Sequence, residues 1–198
     1  MKSSAYFYSK EVNAVDFLVL VRKLRNRDNK QVLEAVEELR VHGWLEDGSL
    51  EGIRLCHVRM HGADLFGANL RKIDLHQAHL EWADLSQADL SGARLARVNF
   101  EGANLSQTNL TGADLLKANL GGARNLTDKQ LSKAKRLCFA IMPSGLTYDG
   151  RYNLEGDLEL ARWRRIDVDD PEVMAYFYGV PLEIYLQGQE MGVAATTV

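Results

Sequence analysis

The amino-acid sequence predicts an all-β core, a right-handed quadrilateral parallel β-helix of about four coils, with helical caps at its N- and C-terminal ends. Two observations lead to this fold class. From Leu50 to Leu120 every fifth residue is large and apolar, and it is usually leucine. A second column of smaller residues, mostly alanine, runs from Ile53 to Ala123 at the same interval, two residues before each next large one.

A period of five residues matches neither the 3.6-residue period of an α-helix nor the alternation of an ordinary strand. It fits a chain that turns a corner every five residues, so that four sides close a coil of about twenty residues with both columns inside. A large inner side chain fits only beside a small one, which accounts for leucine next to alanine. About four coils, stacked at the ~4.8 Å spacing of paired strands, make a rod about 18 Å long.

Three segments show the repeat in its purest form, because Ala63–Gly67, Ala83–Gln87 and Ala103–Gln107 all read A(D/N)LxX. These segments resemble the pentapeptide-repeat family, and the resemblance covers residues 50–124. It implies the quadrilateral β-helix. It implies much less about function, since the family includes DNA mimics that bind gyrase as well as proteins without an assigned role.

The flanks of the repeat are predicted to be helical. Residues 1–49 form an N-terminal helical cap, residues 50–124 the β-helix, and residues 125–198 a C-terminal capping or dimerisation region. A β-helix leaves unpaired backbone at both ends, so we expect these flanks to cover the ends. Helix signals and apolar spacing place helices at 15–24, 30–41, from Thr127 onward, 171–178, and from 181 to about 188.

Composition excludes several classes of function. The formal charge is −3 with a pI near 6.0, so the whole chain is not drawn to nucleic acid or to anionic membranes. No apolar run reaches the roughly 18 residues of a membrane span, and no secretory signal is recognised. Two cysteines make no disulfide framework. We therefore expect a cytoplasmic protein with no membrane association and no direct reading of nucleic acid.

Cys56, His57 and His76 are the candidate metal ligands. Cys56 and His76 share a column one coil apart, and cysteine and histidine are the usual ligands of zinc. Their spacing matches no established zinc motif, so we expect an ordinary polar surface with no metal and no cofactor. A metal-binding or sensing module is the second alternative function.

Trp82, Phe66 and Leu116 are the candidate partner-binding residues, because each places an apolar side chain at an outward position. Trp82 is the most informative, since its column otherwise holds glycine (Gly62, Gly102, Gly122). No nucleophile elbow, phosphate-binding loop or HExxH motif is present, so an enzyme is not expected.

The predicted function is a non-catalytic protein–protein interaction or scaffolding module that presents a rod-shaped surface to an unidentified protein partner, with a homodimer through the C-terminal region as a further association. The first alternative is a DNA-mimicking binder of a type II topoisomerase (gyrase). Mimicry needs a dense acidic stripe, whereas residues 50–124 contain eight acidic and eight basic residues. One outward column, Arg54, Asp74, Arg94 and Asp114, alternates in sign and is expected to favour a single register.

Overall fold

The computed structural model describes the backbone of residues 16–196 and the side chains of residues 16–192. Val15, the first residue of the first predicted helix, lies outside the described residues. Helix α1 covers residues 16–23. The other helices are α2 (Asn29–Val41), α3 (Asp128–Leu131), α4 (Glu155–Trp163), α5 (Pro171–Tyr178) and α6 (Leu182–Thr196).

Between α2 and α3 the chain repeats one unit of five residues. Each corner is a turn in which a backbone N–H bonds to the carbonyl three residues earlier, as from Ala63 to Met60 at 3.0 Å. Residues twenty apart pair as parallel bridges, from Arg54 with Asp74 to Asn104 with Arg124. Four such turns separate paired residues. The predicted period and the predicted stacking of coils are therefore both present.

The two apolar columns fill the inside of the coil. Leu85 and Ala83 are both fully buried, and the same holds along both columns with few exceptions. Each buried leucine contributes about 1.5–3 kcal/mol, so the columns alone supply a substantial core. Thr108 is the polar member of the alanine column, and its Oγ1 donates to the carbonyl of Leu85 at 2.8 Å. That bond satisfies the buried hydroxyl.

The coil continues beyond residue 124, the predicted boundary of the β-helix. Asp114 pairs with Arg136 and Asn119 with Ile141, so the interval lengthens from 20 to 22 residues. The two additional residues are accommodated where the chain loops out to form α3. The helix predicted from Thr127 is thus a four-residue helix that replaces part of one side in a further, partial coil and lengthens that coil by two residues.

Gln130 hydrogen-bonds to a backbone carbonyl that α3 leaves without its partner strand. In the preceding coil the N–H of Asn109 donates to the carbonyl of Ala88 at 2.9 Å. The equivalent carbonyl of Thr108 instead accepts from Nε2 of Gln130 at 3.0 Å. Oε1 of Gln130 meanwhile accepts from the backbone N–H of Thr127 at 3.0 Å, which completes a capping box. One side chain therefore joins α3 to the rod.

Helix α2 lies against the N-terminal end of the rod, and its N-cap is Asp28, one of the two residues (Asp28 or Asn29) that the sequence offers for this role. Its buried face includes Val36 and Leu39, which meet the first leucines of the coil. In the regular coils the carbonyls on this side accept an N–H from the coil before, as Asp74 does from Leu55 at 2.7 Å. In the first coil, side chains donate to these carbonyls instead. Arg25 donates to the carbonyl of Arg54 (2.8 Å) and Asn29 to that of His61 (2.9 Å). Arg40 donates to the carbonyls of Asp64 (3.0 Å) and Phe66 (3.3 Å).

At the C-terminal end of the rod the unpaired groups are backbone N–H groups, and Asp157 of α4 accepts hydrogen bonds from them. Its fully buried carboxylate accepts from the N–H of Leu137 at 3.1 Å and of Cys138 at 2.9 Å. Helix α4 was not predicted. Burial raises the pKa of Asp157 to about 6, although the Cys138 thiol, these N–H groups and Arg136 all favour the charged form.

Aromatic residues of the C-terminal region pack on this end of the rod. Phe139 of the last coil meets Phe177 of α5 at 5.5 Å between ring centroids, and Tyr148 meets Tyr178 at 5.6 Å. Helix α5 begins at Pro171 and ends at Gly179, as predicted. Trp163, in contrast, remains 80% exposed.

Helix α6 corrects the sequence prediction, which ended it near Gly188. It continues through Gly188 to Thr196, and Gly188 and Gly192 are the positions where a neighbouring segment packs closely against it. A Cβ at Gly188 would lie 2.8 Å from Cγ of Asp149, and one at Gly192 would overlap the carbonyl of Arg151. Glycine is therefore required here as the residue that admits the neighbouring chain, and it does not end the helix.

A charge placed on an inward position should unfold the rod. We expect Leu85→Asp to abolish cooperative folding, since burying an unpaired carboxylate costs several kcal/mol. Gln87→Asp puts the same charge on an exposed corner two residues away and should cost less than about 1 kcal/mol. Thermal unfolding followed by circular dichroism measures both, and equal losses of Tm would contradict the inward assignment.

The buried carboxylate at the C-terminal end should make stability depend on pH. Asp157 binds its proton more tightly in the folded state (pKa about 6) than in the unfolded chain (about 3.9), so its contribution to the free energy of unfolding falls as pH rises between those values. Relative to Asp157→Asn, the free energy of unfolding of the natural protein should fall by about 2 kcal/mol between pH 4 and pH 7. Urea titrations at several pH values measure the difference, and a constant difference would exclude this coupling.

Candidate functional site

Trp82 stands at a corner of the rod with its side chain 59% exposed. Its φ is +62°, the left-handed conformation that every corner of the coil adopts at this position of the turn. That conformation costs a residue other than glycine about 1–2 kcal/mol. A large ring is thus held outside the core at a position that glycine would occupy with less strain.

The ring of Trp82 lies face-on against the next coil, at Gly102. A Cβ built on Gly102 would lie 2.6, 2.7 and 2.8 Å from Cε3, Cζ3 and Cδ2, three consecutive ring atoms. Nearly equal distances to consecutive atoms mean that the point lies over the face of the ring, since an approach in the ring plane would favour one atom. One face therefore covers the backbone, and the other is turned to solvent.

Glu81 precedes Trp82 in the chain, and Glu101 precedes Gly102 one coil later. We call Trp82, Gly102, Glu81 and Glu101 the Trp82 wall. Burial by itself would raise the pKa of Glu81, but hydrogen bonds from His79 (2.9 Å), from its own backbone and from Asn99 (2.7 Å) outweigh it and hold the pKa below its usual range. Glu101, beside Gly102, is exposed and has no ion-pair partner among residues 16–192. The wall therefore joins an open aromatic face to an uncompensated negative charge.

The three candidate partner-binding residues do not form one surface. The turns place Trp82, Phe66 and Leu116 at three different corners of the coil. Phe66 is 45% exposed, and Leu116 is half-buried against the core. Of the three, Trp82 has the most exposed side chain.

Cys56, His57 and His76 do come together, but not as a set of metal ligands. The backbone N–H of His57 donates to the carbonyl of His76 at 2.9 Å, and the two rings meet edge to face at 6.1 Å. Partial burial, followed by a hydrogen bond to Asp74, raises the pKa of the Cys56 thiol and so disfavours the thiolate that binds zinc. Within the described part of the chain, no group of three histidine, cysteine or acidic side chains is placed to hold a metal ion.

The charged column predicted from the sequence is present and longer than expected. Arg54, Asp74, Arg94 and Asp114 pair in succession, and Arg136 continues the series. Arg94 lies 3.7 Å from Asp74, and Nε of Arg136 donates to Asp114 at 2.9 Å. The acidic residues of this column are therefore neutralised by basic neighbours.

A comparison with protein families matches residues 73–112 and 88–124 to pentapeptide repeats, in eight copies. The chain belongs to the pentapeptide-repeat family. Membership implies a right-handed β-helix, which agrees with the pairing of residues twenty apart. Proteins of this family are generally non-catalytic interaction modules.

Two solved structures illustrate the similarity. HetL, a pentapeptide repeat protein involved in heterocyst differentiation regulation from the cyanobacterium Nostoc sp. strain PCC 7120, is 42% identical over 47% of this chain and 42% of its own, with a TM-score of 0.44. A pentapeptide repeat protein from the Arabidopsis thaliana thylakoid lumen is 27% identical over 53% of this chain and 72% of its own, with a TM-score of 0.42. This chain thus spans less than half the length of HetL. No curated protein matches it significantly, and none of the helices described between residues 16 and 196 is both long and apolar enough to cross a membrane.

The sequence analysis did not identify the side chains that hydrogen-bond to unpaired backbone groups of the rod. A signal existed for Gln130, because it follows the predicted N-cap Thr127 by three residues in a capping-box spacing. No local pattern marked Arg25, Asn29, Arg40 or Asp157, whose partners lie 19 to 32 residues away along the chain.

Adding a methyl group beneath the Trp82 ring should displace it. In Gly102→Ala the new Cβ would overlap the ring, so the indole N–H signal of Trp82 should shift strongly and become more accessible to a soluble quencher. Gly112→Ala is the matched control, since φ at Gly112 (+69°) is strained to the same degree but a Cβ there would meet nothing nearer than the backbone nitrogen of Gly92 at 3.9 Å. NMR spectra assigned with Trp82→Phe measure the effect, and the same shift in both variants would disprove the face-on placement.

Proposed function

We propose that this chain is a non-catalytic protein-binding module and that the Trp82 wall is its partner contact. The observation that carries the proposal is the exposed ring of Trp82 on Gly102, next in the chain to Glu101, whose exposed carboxylate accepts from Nδ2 of Asn119 at 3.5 Å and has no ion-pair partner among residues 16–192. Exposed tryptophan is enriched among the residues that dominate protein–protein binding energies. The stacked coils beneath supply a rigid support.

The chemistry of the wall favours a basic partner segment. A guanidinium group can lie flat on the solvent face of Trp82 while its N–H groups donate to the carboxylate of Glu101. Such a cation–π contact contributes about 0.5–2 kcal/mol. The lowered pKa of Glu81 keeps a second negative charge on the wall. An arginine in an exposed loop or tail of the partner therefore fits best.

The alternatives have less support. A DNA mimic needs uncompensated acidic residues along the rod, whereas Asp64, Asp74, Asp89 and Asp114 each lie within 4.0 Å of an arginine nitrogen. A metal sensor would need Cys56 as a thiolate. A homodimer through the C-terminal region would use Trp163 and Tyr176, which are 80% and 84% exposed. We place the module in the cytoplasm, where its two free cysteines, Cys56 and Cys138, would stay reduced.

Photo-crosslinking from two positions tests the partner contact. A photoreactive residue at position 124, which pairs with Asn104 on the side of the Trp82 wall, should capture a protein from an extract of the source cells. The same residue at position 72, half a coil away from Trp82, is the control and should capture much less. The crosslinked peptide should contain arginine.

Trp82→Ala and Glu101→Gln should each reduce the crosslink from position 124 by about tenfold, the effect of roughly 1.4 kcal/mol. Equal capture from both positions, or capture that neither variant reduces, would refute the assignment of the wall. A topoisomerase subunit as the captured protein, held through acidic residues of the rod, would favour the DNA mimic instead.

A further inference from the structure

The break in the pairing at α3 leaves a notch in the side of the rod. Its volume is about 760 Å³, which lies within the range of small-molecule sites. The lining consists of residues 106–111, Asn125, Thr127, Lys129, Gln130 and Lys133. We call this cavity the α3 notch.

Two backbone N–H groups point into the notch without an acceptor. In the coil before, the N–H of Gln87 donates to the carbonyl of Ser106 and that of Leu90 to the carbonyl of Asn109, each across to the next coil. Gln107 and Leu110 hold the same positions one coil later, but α3 has moved the next strand away. Neither N–H makes a hydrogen bond to any residue of the described chain.

The carbonyls on the same edge are already occupied. Nε2 of Gln130 donates to Leu105 at 2.8 Å and to Thr108 at 3.0 Å. The open edge of the strand therefore presents hydrogen-bond donors and no free carbonyl acceptor. An electron-rich ligand would therefore meet backbone donors at this edge.

The charges of the lining have one sign. Lys129 and Lys133 line the notch, and no acidic residue does. Neither lysine has an ion-pair partner among residues 16–192. Asp128, the nearest acid in sequence, accepts instead from the hydroxyl of Tyr152 at 2.6 Å. Two lysines and two unpaired backbone N–H groups thus line the same notch, with no acidic residue among the lining.

We propose that the α3 notch binds a small molecule through a phosphate or sulfate group. The N–H groups of Gln107 and Leu110 donate to the oxygens of the anion, and Lys129 and Lys133 neutralise its charge. The notch is larger than the anion alone, which leaves room for an organic part. A nucleic acid fits less well, because the rod carries equal numbers of acidic and basic residues between Leu50 and Arg124 and offers no continuous basic track.

Titration of the full chain with inorganic phosphate tests the site, with amide NMR signals as the readout. The N–H signals of Gln107 and Leu110 should move together and saturate, with an apparent Kd of about 1–10 mM. Sulfate at matched ionic strength should produce the same pattern, and sodium chloride should not. Both N–H signals report contact directly, so the result does not depend on whether the Trp82 wall has a partner.

A matched pair of double variants isolates the notch. Lys129→Gln with Lys133→Gln should weaken phosphate binding at least about tenfold, whereas Arg27→Gln with Arg59→Gln removes the same charge elsewhere and should leave it unchanged. Unmoved signals of Gln107 and Leu110 in the natural protein, or equal weakening by both double variants, would overturn the proposal. Tight binding of a single-stranded oligonucleotide without a phosphate response would also overturn it, in favour of a nucleic-acid surface.

Discussion

Hydrogen bonding between successive coils is the constraint on which the rest of this structure depends. Each coil donates and accepts along both edges, so wherever the repeat stops, polar backbone groups lose their partners. Side chains from the flanks take their place. Arg25, Asn29 and Arg40 donate to open carbonyls at the first coil, and the carboxylate of Asp157 accepts from open N–H groups at the last. The chemical type of each side chain matches the group left open.

The same constraint governs the interruption within the rod. Helix α3 displaces one side of the final coil, and Gln130 supplies the donors that the missing strand would have provided. It does not supply acceptors for Gln107 and Leu110. The surface therefore differs from the regular walls at this one break, which is where a ligand that brings its own oxygens would find donors. In the proposed notch, the unpaired donors come from the irregularity in the repeat and not from the repeat itself.

The corners explain how one fold carries different surfaces. Every corner needs a residue in the left-handed conformation, and its side chain then points away from the core. Trp82 uses such a corner to lay its ring on Gly102, where the lack of a Cβ leaves the space. The inner columns accept little change because they fill a fixed cross-section. The outer positions vary freely, and the recognition of partners can change without disturbing the fold.

The sequence by itself determined the coil, its apolar columns and most helix ends. These features follow from local spacing: five residues per side, Thr127 and Asp170 as N-caps, and Gly179 as the C-cap of α5. Only the tertiary structure decided how far the coil extends, because the pairing of Asp114 with Arg136 skips over an insertion that the five-residue period does not register. Helix α6 passes through Gly188 because Asp149 packs against it, a contact 39 residues apart in the chain that no local pattern encodes. The stacking of Trp82 on Gly102 likewise could not be predicted from the sequence. It depends on the direction of the Trp82 side chain, which packing decides and the position in the repeat does not.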